Sequence, residues 1–358
     1  MSLPTWTQVQ ALPRAYGAPL GHGRLRARPE DFLVEEQLGF DPDGEGDHLL
    51  LRVRKTGANT EWAARRLARI AGVPVSTVGY AGLKDRHAVT LQWFSIPRPR
   101  EGMPDWSILL EEHIEVLDAH PHRRKLKRGA LVGNHFGILV RDLEPETVPG
   151  LDERLARIRA HGIPNYFGEQ RFGHDHSNLA RAHALFAGTA GRVPRHQSGL
   201  WLSAARSQIF NEVLAERVER GDWDSPLEGD CLQLAGSNSY FLAETLDAST
   251  RARCEGMDVH PTGPLWGKGE LPARGSVRQL EDGVGMRFPT WCEGLAAFGL
   301  AQERRSLRLP VADLAAQRVD GGLRLTFSLP AGAYATTLLR ELVDVTETAA
   351  IAATPRSP

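Results

Sequence analysis

The stretch "GYAGLKDRHAVTLQWFSI", residues 79–96, sets one carboxylate, Asp85, between Lys84 and Arg86, with His87 beside them. Cations on both sides favour the ionised form of a carboxylate. An ionised aspartate does chemistry in two ways, as a nucleophile forming a covalent intermediate or as a general base. The same spacing also suits a surface turn with local ion pairing, or a turn cap. Residue types alone leave these readings open.

Three other stretches carry groups that could join such a centre. In "GNHFGIL", 133–139, Asn134 can bond a base edge, a ribose hydroxyl or a neighbouring carboxylate. Phe136 projects to the same side of a strand as Asn134. A polar group beside a ring is how proteins grip an unstacked base, although a strand-start Asn with a core Phe fits equally. "GIPNYFGEQRFGHDHSN", 162–178, packs Tyr166, Phe167, Glu169, Gln170 and Arg171 into a non-repetitive segment. It reads as an inter-domain hinge that touches substrate, or as a buried turn. "HPHRRKLKRG", 120–129, holds Arg123, Arg124, Lys125, Lys127 and Arg128 without an acid.

Charge distribution gives that last run its meaning. A net charge of −1 argues against a dedicated nucleic-acid binder, yet residues 51–135 carry a local excess of +7. Such patches are footprints of RNA or DNA contact, the alternative being a solvated loop. Arginine outnumbers lysine 38 to 5, which genomic base composition alone can produce. The cysteines at 231, 254 and 292 have neither disulfide-framework nor zinc spacing. Two histidines around Asp175 are too few for a metal site, and no Walker or Rossmann glycine motif appears. No metal or cofactor is expected. No run reaches the roughly 18–20 apolar residues of a membrane span, and the N-terminus has no signal core. A cytoplasmic protein without membrane contact is expected.

The elements that must position these residues follow from periodicity. "HLLLRVR" (48–54) alternates as a half-buried strand, and "NTEWAARRLARIAG" reads as a helix capped at Asn59 or Thr60 and ended by Gly72. "STVGYAG" and "AVTLQWFSI" read as strands flanking the 82–87 loop, with Val89, Leu91 and Trp93 as the apolar alternates. "HIEVLD" (113–118) and "HFGILVRD" (135–142) add two more. Short connections favour an α+β arrangement with a largely antiparallel sheet. Beyond residue 150 come helix patterns ending near 161, at 175–188 and at 203–221, then a hairpin at 231–244 turning at Ser237–Asn238. The Gly- and Pro-rich segment 261–275 reads as loop. A strand at 323–329 and a helix from 335 to about 345 close the pattern, which suggests a second domain inserted into the first.

Taken together, "RARPEDFLVEEQLGFDPDGEGDHLL", "AGLKDRHAVTLQW", "GNHF", "GIPNYFGEQRFG", "WLSAARSQIFN" and "LPAGAYATTLLREL" resemble the TruD family of tRNA pseudouridine synthases, in family order from about residue 20 to 346. The resemblance implies isomerisation of uridine to pseudouridine in tRNA, at uridine 13 for bacterial members. The bond to N1 of uracil breaks and the sugar rejoins at C5, without cofactor or metal. It places the essential aspartate at Asp85, a base-packing ring at Phe136, and at Asn134 an asparagine that bonds near the aspartate. Tyr334 falls where relatives can carry Phe, so its hydroxyl needs a partner. Arg26 falls where relatives place a Lys to pair with the aspartate, with Arg24 and Arg28 as alternatives. Lys84 and Arg86 complete the expected cation set, and the 123–128 run is the expected RNA contact.

The implied fold is α+β and V-shaped. A discontinuous catalytic domain (1–159 and 306–358) has a central antiparallel sheet, and a family-specific α/β domain is inserted at 160–305. tRNA is the expected partner, and no obligate protein partner is implied. Two rival classes are an RNA-binding module without catalysis and a metal-dependent phosphodiesterase or nucleotide hydrolase using Asp85.

Overall fold

The computed structural model describes residues 3–99, 102–143 and 150–347. The chain begins with β1 (His22–Leu25), β2 (Phe32–Leu38) and β3 (His48–Thr56), then helix α1 (Thr60–Ile70). Strands β4 (Gly79–Tyr80), β5 (Val89–Pro97), β6 (Ile114–His122) and β7 (Leu131–Arg141) follow. Next come α2 (Leu151–His161), β8 (Ile163–Pro164), α3 (Ser177–Phe186) and α4 (Arg195–Arg220). After these lie β9 (Cys231–Leu234), β10 (Tyr240–Leu242), α5 (Ala248–Glu255) and β11 (Val259–Leu265). Helices α6 (Gly275–Gly285) and α7 (Pro289–Ala297) precede β12 (Glu303–Ser306) and β13 (Arg308–Leu309). Last are β14 (Ala312–Val319), β15 (Gly322–Pro330), α8 (Ala335–Leu342) and β16 (Asp344–Glu347).

These elements form two compact units. The sheet unit takes the described residues of Pro19–Leu151, Val311–Gly332 and Leu342–Pro358. The helical unit takes those of Met1–Ala18, Asp152–Pro310 and Ala333–Glu341. Among the described residues no helix is long and apolar enough to cross a membrane.

The sheet unit is built on the strand order β14-β15-β7-β2-β5-β3-β6. Most neighbours are antiparallel, but β2 runs parallel to β5 and β1 parallel to β16. Helix α1 starts where the side chain of Asn59 accepts the Trp62 N–H, and Gly72, at φ +65°, follows its end. Its buried Ala63, Ala64 and Leu67 pack on Leu49, Leu51, Val53, Phe94 and Ile96. Leu50, on the opposite face of β3, packs with Ala81 and Leu126.

Two local expectations fail here for identifiable reasons. "STVGYAG" yields only the two-residue β4, because Val75–Thr77 makes a 3-10 turn after Pro74 and the chain leaves the ladder after Tyr80. On β5 the wholly buried residues of the first half are Thr90 and Gln92, while Val89, Leu91 and Trp93 are only half-buried. The Gln92 amide faces the loop that carries Asp85.

The helical unit packs α3, α6 and α7 against α4, whose Ile209, Phe210, Val213 and Leu214 are buried. Helix α4 begins at Arg195, right after Pro194, earlier than its apolar stripe implied, and ends at Gly221 with φ +73°. A four-stranded sheet, β10-β9-β11-β12, lies in the same unit, and β9 with β10 forms the expected hairpin. The segment expected to be loop from 261 carries β11 instead. That strand pairs with β9 up to Pro261 and with β12 from Thr262, so its prolines sit in two short ladders rather than one long one.

Candidate active site

Strand register brings one face of the sheet unit into focus. Paired residues share a face, so Lys55 lies beside Thr90, Thr90 beside Val34, Val34 beside Phe136, and Phe136 beside Phe327. Two residues along the same face, Glu36 lies beside Asn134 and Asn134 beside Leu329. A polar row thus runs next to an aromatic row. Phe136 stacks on Phe327 at 5.2 Å between ring centroids and meets Phe32 edge-on at 6.4 Å.

The loop from Ala81 to Ala88 is held in place at four points. Gln92 Nε2 donates to the Gly82 carbonyl (2.8 Å), and the Lys84 N–H donates to Thr60 Oγ1 (2.9 Å). The Thr60 hydroxyl in turn donates to Gln92 Oε1 (3.1 Å). The Lys84 ammonium lies 2.6 Å from Glu36 Oε1, and the Ala81 carbonyl accepts from Gly129 N–H. Thr60, Gln92 and Glu36 are all at most 3% exposed, so the anchors are buried while the loop's tip is not.

Asp85 stands at that tip. Its Oδ2 is 3.0 Å from Arg26 Nη2, and its Oδ1 accepts the His87 N–H at 2.9 Å. Ion pairing and turn capping are therefore both realised, one on each oxygen. The Asp85 side chain keeps 30% of its surface exposed against 10% for Arg26, which leaves the acid reachable from outside. The Arg26 guanidinium also lies 4.2 Å over the Phe32 ring. An unbroken series of contacts runs from Asp85 through Arg26 and Phe32 to Phe136. Arg26 adopts φ +56°, a left-handed backbone that costs a non-glycine residue about 1 kcal/mol and is held here by its partners. Of the three arginines weighed for this role, Arg24 turns instead to Asp142 and Arg28 is exposed.

Buried charge surrounds the loop. Burial pushes the Glu36 carboxyl above the ordinary range, against the pull of the Lys84 ammonium and the Trp93 N–H that it accepts. Lys55 is wholly buried, with Nζ donating to the Ala58 carbonyl. Burial first, and Lys84 second, pull its pKa down to about 8, with Asp85 and Glu36 opposing. Asn134 Oδ1 is buried without a hydrogen-bond donor among the described residues.

Asp85, Arg26, Lys84, Asn134 and Phe136 are thus gathered in one unit. Arg86 is exposed, and the Lys84 ammonium is engaged by Glu36 rather than held free for Asp85. Tyr334 belongs to the helical unit, where its hydroxyl accepts from Arg171 Nε (3.1 Å) and its ring meets Phe167. The basic run 123–128 is exposed at each of its cations. Arg123 pairs with Glu45, Lys125 donates to the Ser76 carbonyl, and Arg128 sits 5.6 Å over Tyr80. Lys125, Lys127, Arg128, Arg65 and Tyr80 line a groove of about 610 Å³.

Glu36, Thr60, Gln92 and Lys55 were not foreseen from the sequence. One signal was present: in a chain with 38 arginines and 5 lysines, two of the lysines, 55 and 84, lie at this single site.

Fold and site define an α+β protein whose mixed sheet presents one arginine-paired carboxylate beside stacked aromatic rings. The family model described as tRNA pseudouridine synthase D (TruD) matches residues 14–185 and 176–342. A tRNA pseudouridine synthase D from Methylococcus capsulatus is 52% identical over 93% of this chain and 94% of its own. One from Nitrosococcus oceani is 49% identical with the same two shares covered. A crystal structure from Methanosarcina mazei bearing the TruD name has a TM-score of 0.74 at 23% identity, covering 95% of this chain and 98% of that one, a likeness of fold. The chain belongs to the TruD family of tRNA pseudouridine synthases.

Proposed function

We propose that the chain isomerises uridine to pseudouridine in tRNA, at uridine 13, with Asp85 as the essential aspartate. The observation that carries this is the Arg26–Asp85 pair, held 3.0 Å apart at the end of an aromatic series and still open to solvent. A uridine stacked in folded tRNA is out of reach, so it is flipped out at a cost of about a few kcal/mol. Phosphate contacts from the basic run offset that cost. The uracil packs on Phe136, and Tyr334, in the helical unit, is a further substrate contact in this reading. The buried Oδ1 of Asn134 supplies an acceptor for a ring N–H such as N3–H.

Asp85 then acts as a carboxylate, by attack on the nucleoside or by removal of a ribose proton. The glycosidic bond to N1 breaks, the freed uracil turns in a closed site, and C5 bonds to the sugar with loss of the C5 proton while N1 gains one. Detached uracil must not escape, which an aromatic-walled site prevents better than an open groove. The 160–305 segment is the inserted family domain in this reading, and the cytoplasm is its place of action.

The test is mapping of pseudouridine in tRNA from cells lacking the gene, before and after this chain is restored. Pseudouridine that returns at position 13 supports the reading; restoration at another position or none removes it.

A further inference from the structure

We propose that Thr60 and Gln92 act as one positioning clamp for the isomerisation, setting where Asp85 meets the nucleoside, an inference that rests on the role given to Asp85 above. Both grip the main chain just before Asp85 rather than its carboxylate. The Lys84 N–H donates to Thr60 Oγ1 at 2.9 Å, and Gln92 Nε2 donates to the Gly82 carbonyl at 2.8 Å. The Thr60 hydroxyl closes the ring by donating to Gln92 Oε1 at 3.1 Å. Three hydrogen bonds thus hold the peptide units on either side of Leu83. The Leu83 side chain is 64% exposed, so its packing does not hold the segment.

The ring has a single arrangement. A main-chain N–H only donates and a carbonyl only accepts, so the Gln92 amide must turn its NH2 to Gly82 and its oxygen to Thr60. A reversed amide would set oxygen against oxygen at Gly82. The two side chains come from rigid elements, Thr60 from the first position of α1 and Gln92 from the middle of β5, and both are buried. The turn that leads into α1 is itself held, since Lys55 Nζ donates to the Ala58 carbonyl at 2.8 Å. Hydrogen bonds of this kind replace bonds to water and add little net stability, whereas a fully satisfied buried network fixes one geometry. Arg26 and the His87 N–H orient the two carboxylate oxygens of Asp85, and the ring fixes the main chain that carries them. Displacing a reacting group by about 1 Å costs up to roughly 100-fold in rate.

The test is single-turnover tritium release from 5-labelled uridine in tRNA, with the full chain in saturating excess, beside the equilibrium affinity for tRNA. Thr60→Val keeps the shape of the side chain and removes its hydroxyl. Its rate constant falls about 10- to 100-fold while tRNA affinity stays within about twofold of the wild type. Thr60→Ser keeps the hydroxyl and recovers the rate to within about threefold. Gln92→Met loses as much as Thr60→Val, and the double variant falls no more than about threefold further, because one ring is broken once. A folded Thr60→Val protein with the wild-type rate overturns the clamp. So does a loss that Thr60→Ser shares in full, or one matched by an equal loss of tRNA affinity, either of which makes Thr60 a general support of the fold. Losses that multiply in the double variant overturn joint action. If Thr60→Val does not fold, Gln92→Met is read in its place, and a wild-type rate there overturns the clamp equally. A wild-type chain that releases no tritium, or an Asp85→Asn protein as fast as the wild type, defeats the underlying reading instead, so the two failures are distinct.

Discussion

Lys84 is the sequence neighbour of Asp85, yet its ammonium lies 2.6 Å from Glu36, a fully buried carboxylate one strand away. The pair fixes where the loop leaves the sheet and so where Asp85 points. Removing one partner strands the other charge in the interior, a loss of about 3–5 kcal/mol. Glu36→Ala should therefore lower unfolding stability by that order in a urea titration. Pairing it with Lys84→Met should recover more than half, since no uncompensated charge is left. Equal instability of the single and double variants would mean that the anchor is not electrostatic.

Arg26 holds Asp85 by a charge-assisted bond and packs on Phe32 at the same time. Arg26→Ala should lower kcat/KM for tRNA about 10- to 100-fold, the worth of one such bond. Arg26→Lys should fall between the two, keeping the charge while losing the planar contact. Tritium release from 5-labelled uridine in tRNA measures both.

Lys55 sets a pH dependence of stability. Its folded pKa, about 8, lies below the ordinary 10.5, so between those values the unfolded chain holds a proton that the folded chain has released. Below about pH 8 the penalty of the buried charge is fully present. Above it, stability climbs by roughly 3 kcal/mol as the pH approaches 10.5. Lys55→Met should remove this climb and raise stability at neutral pH, read as unfolding free energies across that window. Lys84, Asp85 and Glu36 are the charged groups that act on it, and their own states shape the curve.

The cations of the 123–128 run should not contribute equally to tRNA binding. Arg123 is already paired with Glu45, whereas Lys127 and Arg128 line the groove with Lys125 and Arg65. Replacing Lys127 and Arg128 together with Ala should reduce the salt slope of binding by about 1.5 to 2, and Arg123→Ala by well under 1. Equal small effects would leave the run as a solvated loop.

Much of the site was readable because local patterns carried it. Asp85, Asn134 and Phe136 lie in short motifs on or beside strands with clear alternation, and Asn59 announced helix α1. What stayed hidden depends on contacts far apart in sequence. Glu36 acquires its role only when β2 runs parallel to β5 and beside β7, and nothing local signals that pairing. Gln92 looks like a solvent-facing alternate, and is buried because the Asp85 loop needs a hydrogen-bond partner there. Helices α6 and α7 went unread because glycine lowers helix propensity. Gly285 nevertheless belongs in α6, where Trp266 approaches so closely that a Cβ would lie 2.4 Å from its ring. The partner that the Tyr334 hydroxyl required proved to be Arg171, a residue within the "GEQRFG" segment.

The central claim concerns the carboxylate at position 85, and Asp85→Asn tests it with the shape of the side chain retained. The account predicts no tritium release from 5-labelled uridine in tRNA, with tRNA affinity within about twofold of the wild type, because phosphate contacts supply most of the binding. Sustained release by the Asp85→Asn protein would contradict it and assign the chemistry to another group.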